Sequence, residues 1–161
     1  MIIRSKAPLR IGLAGGGTDV SPYSDIYGGA ILNATIDLYA YASLEPTDIG
    51  KIEFVIDGHS KSVVLDSKKE LESVPGFELF IGVYNRVVKQ FNLSALSFRL
   101  TSHIEAPQGS GLGTSSTIVV SLLGAFVEWL KLPLGKYDIA HLAFEIERVD
   151  LAMAGGKQDQ Y

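Results

Sequence analysis

The chain of 161 residues contains no cysteine. Disulfide bonds, thiolate zinc sites and catalysis by a thiol are therefore excluded within these residues. Histidine is scarce, and the three histidines, at positions 59, 103 and 141, are too scattered to match the spacing of metal ligands. We expect them to be ordinary surface or core residues.

The chain also lacks an excess of positive charge and a long hydrophobic run. Its 14 Lys and Arg residues are outnumbered by 18 Asp and Glu residues, so the net charge is −4 and nucleic acid is not expected as the main partner. The most apolar stretch, residues 118–130, contains Glu128 and is too short to cross a bilayer. Because Arg4, Lys6 and Arg10 interrupt the apolar start, no secretory signal is expected and a cytoplasmic protein is predicted.

What the chain does contain is a segment rich in glycine and hydroxyl residues at 105–117, between a strand-like and a helix-like apolar run. Glycines let the backbone approach a ligand closely. A helix that begins on such a loop presents unpaired N–H groups and the positive end of its dipole. The segment therefore predicts an anion site, most often for phosphate, with hydroxyls that can bond phosphate oxygens or a metal ion. Its glycines and hydroxyl residues are Gly109, Gly111, Gly113, Thr114, Ser115, Ser116 and Thr117.

The same segment does not fit two well-known nucleotide loops. No Gly-Lys-Ser/Thr follows the glycines, which excludes a Walker A motif. The third glycine comes one position early for a dinucleotide fold, and the chain is still helical at Glu128, near where that fold needs an acid after its second strand. A flexible turn capped by serine is the alternative that needs no ligand.

Hydrophobic periodicity along the rest of the chain predicts an α+β fold. Strands are predicted at residues 2–13, within 29–45, at 51–57 and 60–65 around a Gly58-His59 turn, and at 94–104. Helices are predicted at 77–91, 114–130 and 136–149, and residues 66–75 are expected to be irregular. The apolar stripe of the last helix comprises Ile139, Leu142, Ala143, Ile146 and Val149.

Three segments together resemble one enzyme family. Residues 107–116, Pro-Gln-Gly-Ser-Gly-Leu-Gly-Thr-Ser-Ser, resemble the second motif of the GHMP kinases, small-molecule kinases named for galactose, homoserine, mevalonate and phosphomevalonate. Residues 7–19 resemble the first motif, and residues 155–160 resemble the segment with the catalytic aspartate. The resemblance implies a domain like the second domain of ribosomal protein S5, a mixed sheet packed against helices. Since GHMP kinases are longer, two-domain proteins, residues 1–161 are expected to be the ATP-binding N-terminal domain, with the C-terminal GHMP domain missing.

The resemblance implies ATP as the phosphate donor, bound on the glycine loop, and Mg²⁺ as cofactor. In this interpretation Arg10 lies near the transferred phosphoryl group and Asp159 takes the proton of the acceptor hydroxyl. Asp159 follows a helix on a loop, which suits a catalytic base but is also typical of a plain turn aspartate. The residues implied for the nucleotide are Pro107, Gly109, Ser110, Gly111, Leu112, Gly113, Thr114, Ser115 and Ser116.

Glu147 and Ser115 are the candidate ligands of Mg²⁺. A helical wheel places Glu147 about 80° from Ile139, on the flank of the apolar stripe, where it can border a cleft. Asp150, one turn later, is an open alternative ligand, and Glu147 can equally be a solvated helix charge. The resemblance favours Glu147, because the metal-binding glutamate of the family lies at a similar distance before the catalytic aspartate.

The first motif implies a sugar site. Its glycine triplet at 15–17, together with residues 28–37, resembles the branch that phosphorylates D-glycero-D-manno-heptose 7-phosphate. Arg4, Lys6 or Lys157 can meet the phosphate of such a substrate, and the sequence does not choose among them. The sugar-binding residues implied are Gly16, Gly17, Thr18 and Asp19, whose carboxylate would accept hydrogen bonds from sugar hydroxyls.

Two alternatives to a heptose-phosphate kinase remain open at this point. One is a fucose- or galactose-type sugar kinase, and the other is a module that binds nucleotide or sugar without turnover. The expected partners are a sugar or sugar phosphate, with no nucleic acid and no membrane, and a homodimer is allowed.

Overall fold

The computed structural model describes residues 1–58, 61–107 and 109–161. One five-stranded sheet, in the order β1-β2-β5-β3-β4, carries helices on one face. The predicted α+β class with a mixed sheet is confirmed. The strands are β1 (Ile3–Ala14), β2 (Leu32–Pro46), β3 (Lys51–Ile56), β4 (Lys61–Asp66) and β5 (Phe98–Ile104). The helices are α1 (Tyr23–Tyr27), α2 (Glu78–Gln90), α3 (Thr114–Leu130) and α4 (Lys136–Glu145), followed by a π-helical turn (Ile146–Asp150).

The sheet is mixed because β5 pairs antiparallel with β2 on one side and parallel with β3 on the other. Side chains alternate between the two faces of each strand. On β2, for example, Ala40, Ala42 and Leu44 are buried, whereas Tyr41 and Ser43 between them are only partly buried. The helices therefore cover a single face of the sheet, and the core lies between them and that face.

Helices α2 and α3 supply most of the helical part of the core. Helix α2 is amphipathic, and its apolar side chains pack around Phe54 and Phe98 of the sheet. Helix α3 is apolar on nearly all sides and packs on β1 and β2. A Cβ at Gly124 would lie 2.3 Å from the Ser5 hydroxyl oxygen, so this glycine lets α3 approach β1 closely. The close approach brings the start of α3 next to the C-terminal half of β1, where the Arg10 N–H donates to the Leu112 carbonyl.

Two boundaries differ from the sequence prediction. Strand β5 begins at Phe98 rather than at 94, because the Ser97 hydroxyl bonds the backbone of Lys51 and ties the preceding residues to β3. The last helix is α-helical only to Glu145 and continues as a π turn, closed by the Leu151 N–H, which donates to the Ile146 carbonyl at 2.9 Å.

The π turn also shows that the predicted apolar stripe is wrong at its last residue, Val149. A turn of this kind holds more residues than an α turn, so the wheel that fits α4 is out of phase beyond Ile146. Val149, predicted on the stripe, is 68% exposed, and Glu147, predicted on its flank, is fully buried.

Helix α1 was not predicted, whereas the strand pairing β3–β4 and the helix α3 are confirmed. The predicted turn residue His59 lies outside the described residues. Among the residues that the structure describes, no helix combines the length and the apolar character needed to cross a membrane.

Candidate active site

The glycine loop leads directly into α3, as its glycine spacing predicts. Gly109, Gly111 and Gly113 all have positive φ, between 74° and 78°, a region that favours glycine. Gly113 is the N-cap residue of α3, and both the N–H and the hydroxyl of Thr117 donate to its carbonyl. Gln108, within the predicted loop, lies outside the described residues. Residues 109–111 of the loop are exposed and the first residues of α3 are partly buried, so an anion could reach the helix start from the loop side.

Arg10 joins this loop to Asp159, a residue 149 positions away in the chain. Its Nε donates to Asp159 Oδ1 at 2.6 Å, and a second guanidinium nitrogen contacts the same oxygen. Its Nη1 donates to the Gly111 carbonyl at 3.0 Å, and its backbone N–H to the Leu112 carbonyl at 3.4 Å. The guanidinium therefore fixes the Asp159 carboxylate relative to the glycine loop.

Asp159 lies against the N-cap of α3. A Cβ added at Gly113 would be 3.2 Å from Asp159 Cγ, so a glycine gives the carboxylate room at this point. The Asp159 side chain keeps 24% of its surface exposed. The carboxylate is thus held by Arg10, next to a helix N-terminus and open to a ligand.

Glu147 belongs to a second, buried cluster. The Ser116 hydroxyl donates to Glu147 Oε1 at 3.0 Å. The Gln160 amide nitrogen donates to Glu147 Oε2 at 2.5 Å and contacts the Ser116 hydroxyl oxygen at 3.0 Å. Since Ser116 lies in the first turn of α3 and Gln160 follows Asp159, the cluster connects the helix start to residues 152–161, here called the Asp159 segment. Ser115, the serine implied for the metal, is partly buried one position before Ser116.

Asp150, the alternative metal ligand, lies in a different environment. Arg86 of α2 donates to both oxygens of its carboxylate, from Nε and Nη2, at 2.6 Å each. These hydrogen bonds raise the pKa of Arg86, and its charge is further stabilised by Glu145. The Asp150 carboxylate is therefore already paired on the α2 side, whereas Glu147 points to the start of α3.

The sugar-site candidates lie in the turn at residues 16–19, within the first motif. The Thr18 hydroxyl donates to the Gly15 carbonyl at 2.8 Å and accepts the Ala30 N–H at 3.1 Å, which closes the turn on the segment before β2. Gly16 and Gly17 are exposed, and a Cβ at either would meet no atom within 4 Å, so open space borders the turn. Asp19 accepts backbone hydrogen bonds from Lys157 and Gln158.

Of the three candidate phosphate-binding cations, Lys157 alone lies in the segment of Asp159. Arg4 and Lys6 lie on β1, six and four positions before Arg10, and the Lys6 ammonium sits 4.2 Å from the ring centre of Tyr39. Strand geometry places Arg4 about 20 Å from Arg10.

A cavity of about 600 Å³ lies between the end of β5, the start of α2, α3 and the residues after the π turn, and its wall includes Asp57, Glu78 and Asp150. Ile104, the last residue of β5, and Ile118, in the second turn of α3, line it on the loop side. Ile56 and Leu151 add apolar surface, and Ser102 adds a hydroxyl. A flat, largely apolar group attached to phosphates on the loop would fit such a space.

Gln160 and Arg86 were missed in the sequence. The only local signal for Gln160 is its position directly after Asp159, and nothing in the sequence connects Arg86 with Asp150. Within the described ranges, no group of three or more His, Cys, Asp or Glu side chains could hold a metal ion by itself. A metal here would need oxygens from a ligand as well as from the protein.

Comparisons with known proteins identify the family of this chain. The family model for the N-terminal domain of GHMP kinases matches residues 78–161. The chain is 50% identical to D-glycero-alpha-D-manno-heptose 7-phosphate kinase of Campylobacter jejuni over 159 residues, which is 99% of this chain and 47% of that protein. It is 30% identical to L-fucokinase/L-fucose-1-P guanylyltransferase of Bacteroides fragilis, over 99% of this chain and 19% of that protein.

Solved structures show the same fold. A crystal structure of a D-glycero-D-manno-heptose 1-phosphate kinase from Bacteroides thetaiotaomicron matches with a TM-score of 0.95 and 56% identity, over all of this chain and 52% of that one. A mevalonate kinase of 20% identity still matches with a TM-score of 0.81. The chain spans about half the length of the heptose kinases it matches. Because the matched family range contains the glycine loop, Glu147 and Asp159, the chain belongs to the GHMP kinase family.

Proposed function

We propose that a protein containing this chain transfers the γ-phosphoryl group of ATP to a hydroxyl of a sugar phosphate, with heptose 7-phosphate as the preferred class of substrate. The observation that carries the proposal is the position of Asp159, held by Arg10 beside the N-terminus of α3 and the exposed glycine loop. Phosphoryl transfer depends on positioning and on charge stabilisation, and this arrangement offers both at one point.

In this proposal the glycine loop, Asp159 and Arg10 act on different parts of the reaction. The N–H groups of the loop and of the first turn of α3 bind phosphate oxygens. The acceptor hydroxyl donates its proton to the Asp159 carboxylate as its oxygen approaches the γ-phosphorus. Arg10 orients that carboxylate and stabilises the negative charge of the phosphoryl group in the transition state.

The donors beside this loop are oxygens, which suit Mg²⁺, and Glu147, fully buried and bonded to Ser116 and Gln160, would exchange one of these hydrogen bonds for the ion. Glu147 supplies a carboxylate, and Ser115 and Ser116 supply hydroxyl oxygens, which are hard ligands of the kind that Mg²⁺ prefers. One carboxylate is enough, since Mg²⁺ takes its other ligands from phosphate oxygens and water. The ion would neutralise charge on the ATP phosphates, while Glu147 and the serines hold it next to the start of α3.

The nucleoside of ATP is proposed to lie in the cavity beside Ile104 and Ile118. The cavity begins where β5 enters the glycine loop, so a nucleotide with its phosphates on the loop can place its base there. The sugar is proposed to lie against the open side of Gly16 and Gly17. Lys157, two positions before Asp159 in the same segment, is the proposed partner of the phosphate that the substrate already carries.

The substrate class is supported by the relatives. The two heptose-phosphate kinases match at 50% and 56% identity, well above the fucokinase at 30%. A cytoplasmic location is proposed as well, because the reaction needs ATP. The oligomeric state, including a homodimer, stays a prediction that sedimentation analysis would decide.

The test is an ADP-release assay on the product of the longest reading frame that contains this chain. Heptose 7-phosphate, fucose, galactose and mevalonate are compared as acceptors, with ATP and Mg²⁺. Heptose 7-phosphate should give the highest kcat/KM. In that assay Asp159→Asn should lower kcat by roughly 10²–10⁴-fold, the range for loss of a positioned base, with little change in sugar binding.

Asp48→Asn, on an exposed turn away from the site, is the matched control and should behave as the wild type. Near-normal turnover in Asp159→Asn would contradict the assignment of the base. Binding of ATP and sugar phosphate without any ADP release would instead identify a binding module.

A further inference from the structure

The carboxylate of Asp19 accepts hydrogen bonds from the backbone of the Asp159 segment. Its Oδ2 accepts the N–H of Lys157 at 2.6 Å and the N–H of Gln158 at 3.0 Å. These contacts span 138 and 139 positions of the chain. One oxygen therefore ties the turn of the first motif to the two residues that directly precede Asp159.

Gly156 makes room for this contact. A Cβ added there would lie 2.1 Å from Asp19 Oδ2 and 2.4 Å from Oδ1, closer than any side chain can come. Asp19 Oδ1 is buried and has no hydrogen-bond partner in the described part of the chain. A sugar hydroxyl could reach that oxygen only if the segment moved away from it.

The Asp159 segment depends on such contacts for its position. Residues 152–161 contain neither helix nor strand, so no regular hydrogen-bond pattern places them. At the far side of the segment, Asp159 is held by Arg10 and Gln160 by Glu147. Arg148 donates to the Gly156 carbonyl at 3.1 Å, and the Asn33 amide donates to the Gln158 carbonyl at 3.5 Å. Asp19 supplies the charged acceptor for the backbone N–H groups of Lys157 and Gln158.

We propose that Asp19 is a positioning residue, which anchors the segment so that Asp159 faces the glycine loop. This role rests on the proposed kinase function and differs from the direct binding of sugar hydroxyls that the family resemblance implies. It explains why a glycine stands at 156, because any side chain there would displace the Asp19 carboxylate.

The first test needs no substrate. Amide hydrogen exchange is followed by NMR in the 161-residue chain for the wild type, Asp19→Ala and Asp19→Asn. Asp19→Ala should speed exchange at Lys157 and Gln158 by about tenfold or more, because both amides lose a charged acceptor. Asp19→Asn keeps an acceptor oxygen and should stay much closer to the wild type. Strand amides such as those of Leu44 and Phe54 should not change, which controls for unfolding.

Gly156→Ala provides an independent variant, since it displaces the Asp19 carboxylate from the two amides without removing any functional group. It should speed exchange at the same two amides as Asp19→Ala does. Unchanged exchange at Lys157 and Gln158 in both variants would overturn the anchoring role, whether or not the protein is a kinase.

The second test separates anchoring from sugar binding. In the ADP-release assay, Asp19→Ala and Gly156→Ala should both lower kcat at least tenfold while the KM for the sugar phosphate changes less than about threefold. A large rise in KM with normal kcat in Asp19→Ala would assign Asp19 to the sugar instead. An inactive wild type would refute the proposed function but would leave the exchange result standing.

Discussion

Three polar side chains, Ser116, Glu147 and Gln160, share one buried hydrogen-bond cluster beside the proposed phosphate site. A fully buried carboxylate is costly unless donors satisfy it. Here a hydroxyl and an amide donate to its two oxygens, one from each side. The cluster thereby holds Glu147 in place and also fixes the residue after Asp159.

Gln160→Leu should destabilise the fold. The change removes the amide that donates to Glu147 Oε2 and leaves that oxygen buried, so the free energy of unfolding should fall by about 1–3 kcal/mol. Urea unfolding of the 161-residue chain measures it. Gln90→Leu, at an exposed position at the end of α2, is the matched control and should change stability by less than about 0.5 kcal/mol. Equal effects of the two variants would show that the buried amide is not needed.

Glu147→Gln should mainly raise the Mg²⁺ requirement of the kinase. An amide oxygen is a weaker ligand for a hard cation than a carboxylate, so more Mg²⁺ should be needed for half-maximal rate. A magnesium titration of the ADP-release assay checks this. Asp150→Asn is the comparison, and because Asp150 pairs with Arg86, it should leave the Mg²⁺ dependence unchanged. The reverse outcome would move the ligand assignment to Asp150.

At the scale of elements, the π turn after α4 decides which side chains face the core. Its extra residue per turn rotates Val149 outward, whereas Glu147 remains on the same face as the buried Ala140 and Ala143 of α4. Such turns are frequent at functional sites. In this chain Glu147 faces the first turn of α3, and the π turn leaves Asp150 on the side of Arg86.

Because of the rotation, two apolar residues of the predicted stripe differ in how far their side chains are exposed. Ile146 is fully buried and Val149 is 68% exposed. Ile146→Ala should therefore lower the free energy of unfolding by about 2–5 kcal/mol, the range for deleting a buried side chain. Val149→Ala should change it by less than about 0.5 kcal/mol. Urea unfolding of both variants checks the difference, and a large loss from Val149→Ala would favour the uninterrupted α-helix of the sequence prediction.

At the scale of the whole molecule, the active-site candidates lie at one end of the sheet, where β1, the glycine loop and residues 155–160 meet. Several large apolar side chains in the first part of the chain are exposed near that end. Among them, Leu13 is 59%, Ile26 67% and Leu32 60% exposed. Such surface marks an interaction or ligand site in many proteins.

The 161-residue chain by itself should bind a hydrophobic dye and release no ADP. The relatives it matches are about twice as long, and a cleft formed by one domain leaves the nucleotide exposed to water, which weakens charge stabilisation. Dye fluorescence and the ADP assay measure the two effects. Replacing Leu13, Ile26 and Leu32 together by serine should lower dye binding, whereas Val64→Ser, on β4, should not. Full turnover by a monodisperse chain that binds no dye would contradict this prediction.

The local elements of this protein could be predicted from its sequence. The spacing of Gly109, Gly111 and Gly113 before a hydroxyl run predicts both the loop and the start of α3, because glycine conformations and helix ends depend on nearby residues. The same holds for β1, for the β3–β4 pair and for α2, whose patterns repeat over a few residues. The motifs also identified the family.

Only the tertiary structure decided which distant side chains meet. The pairing of Arg10 with Asp159 and the attachment of Lys157 to Asp19 each join residues more than 130 positions apart. The exposure of Val149 follows from a π turn whose phase no helical wheel anticipates. Such contacts depend on how the helices pack on the sheet, a property of the whole core that no short stretch of sequence contains.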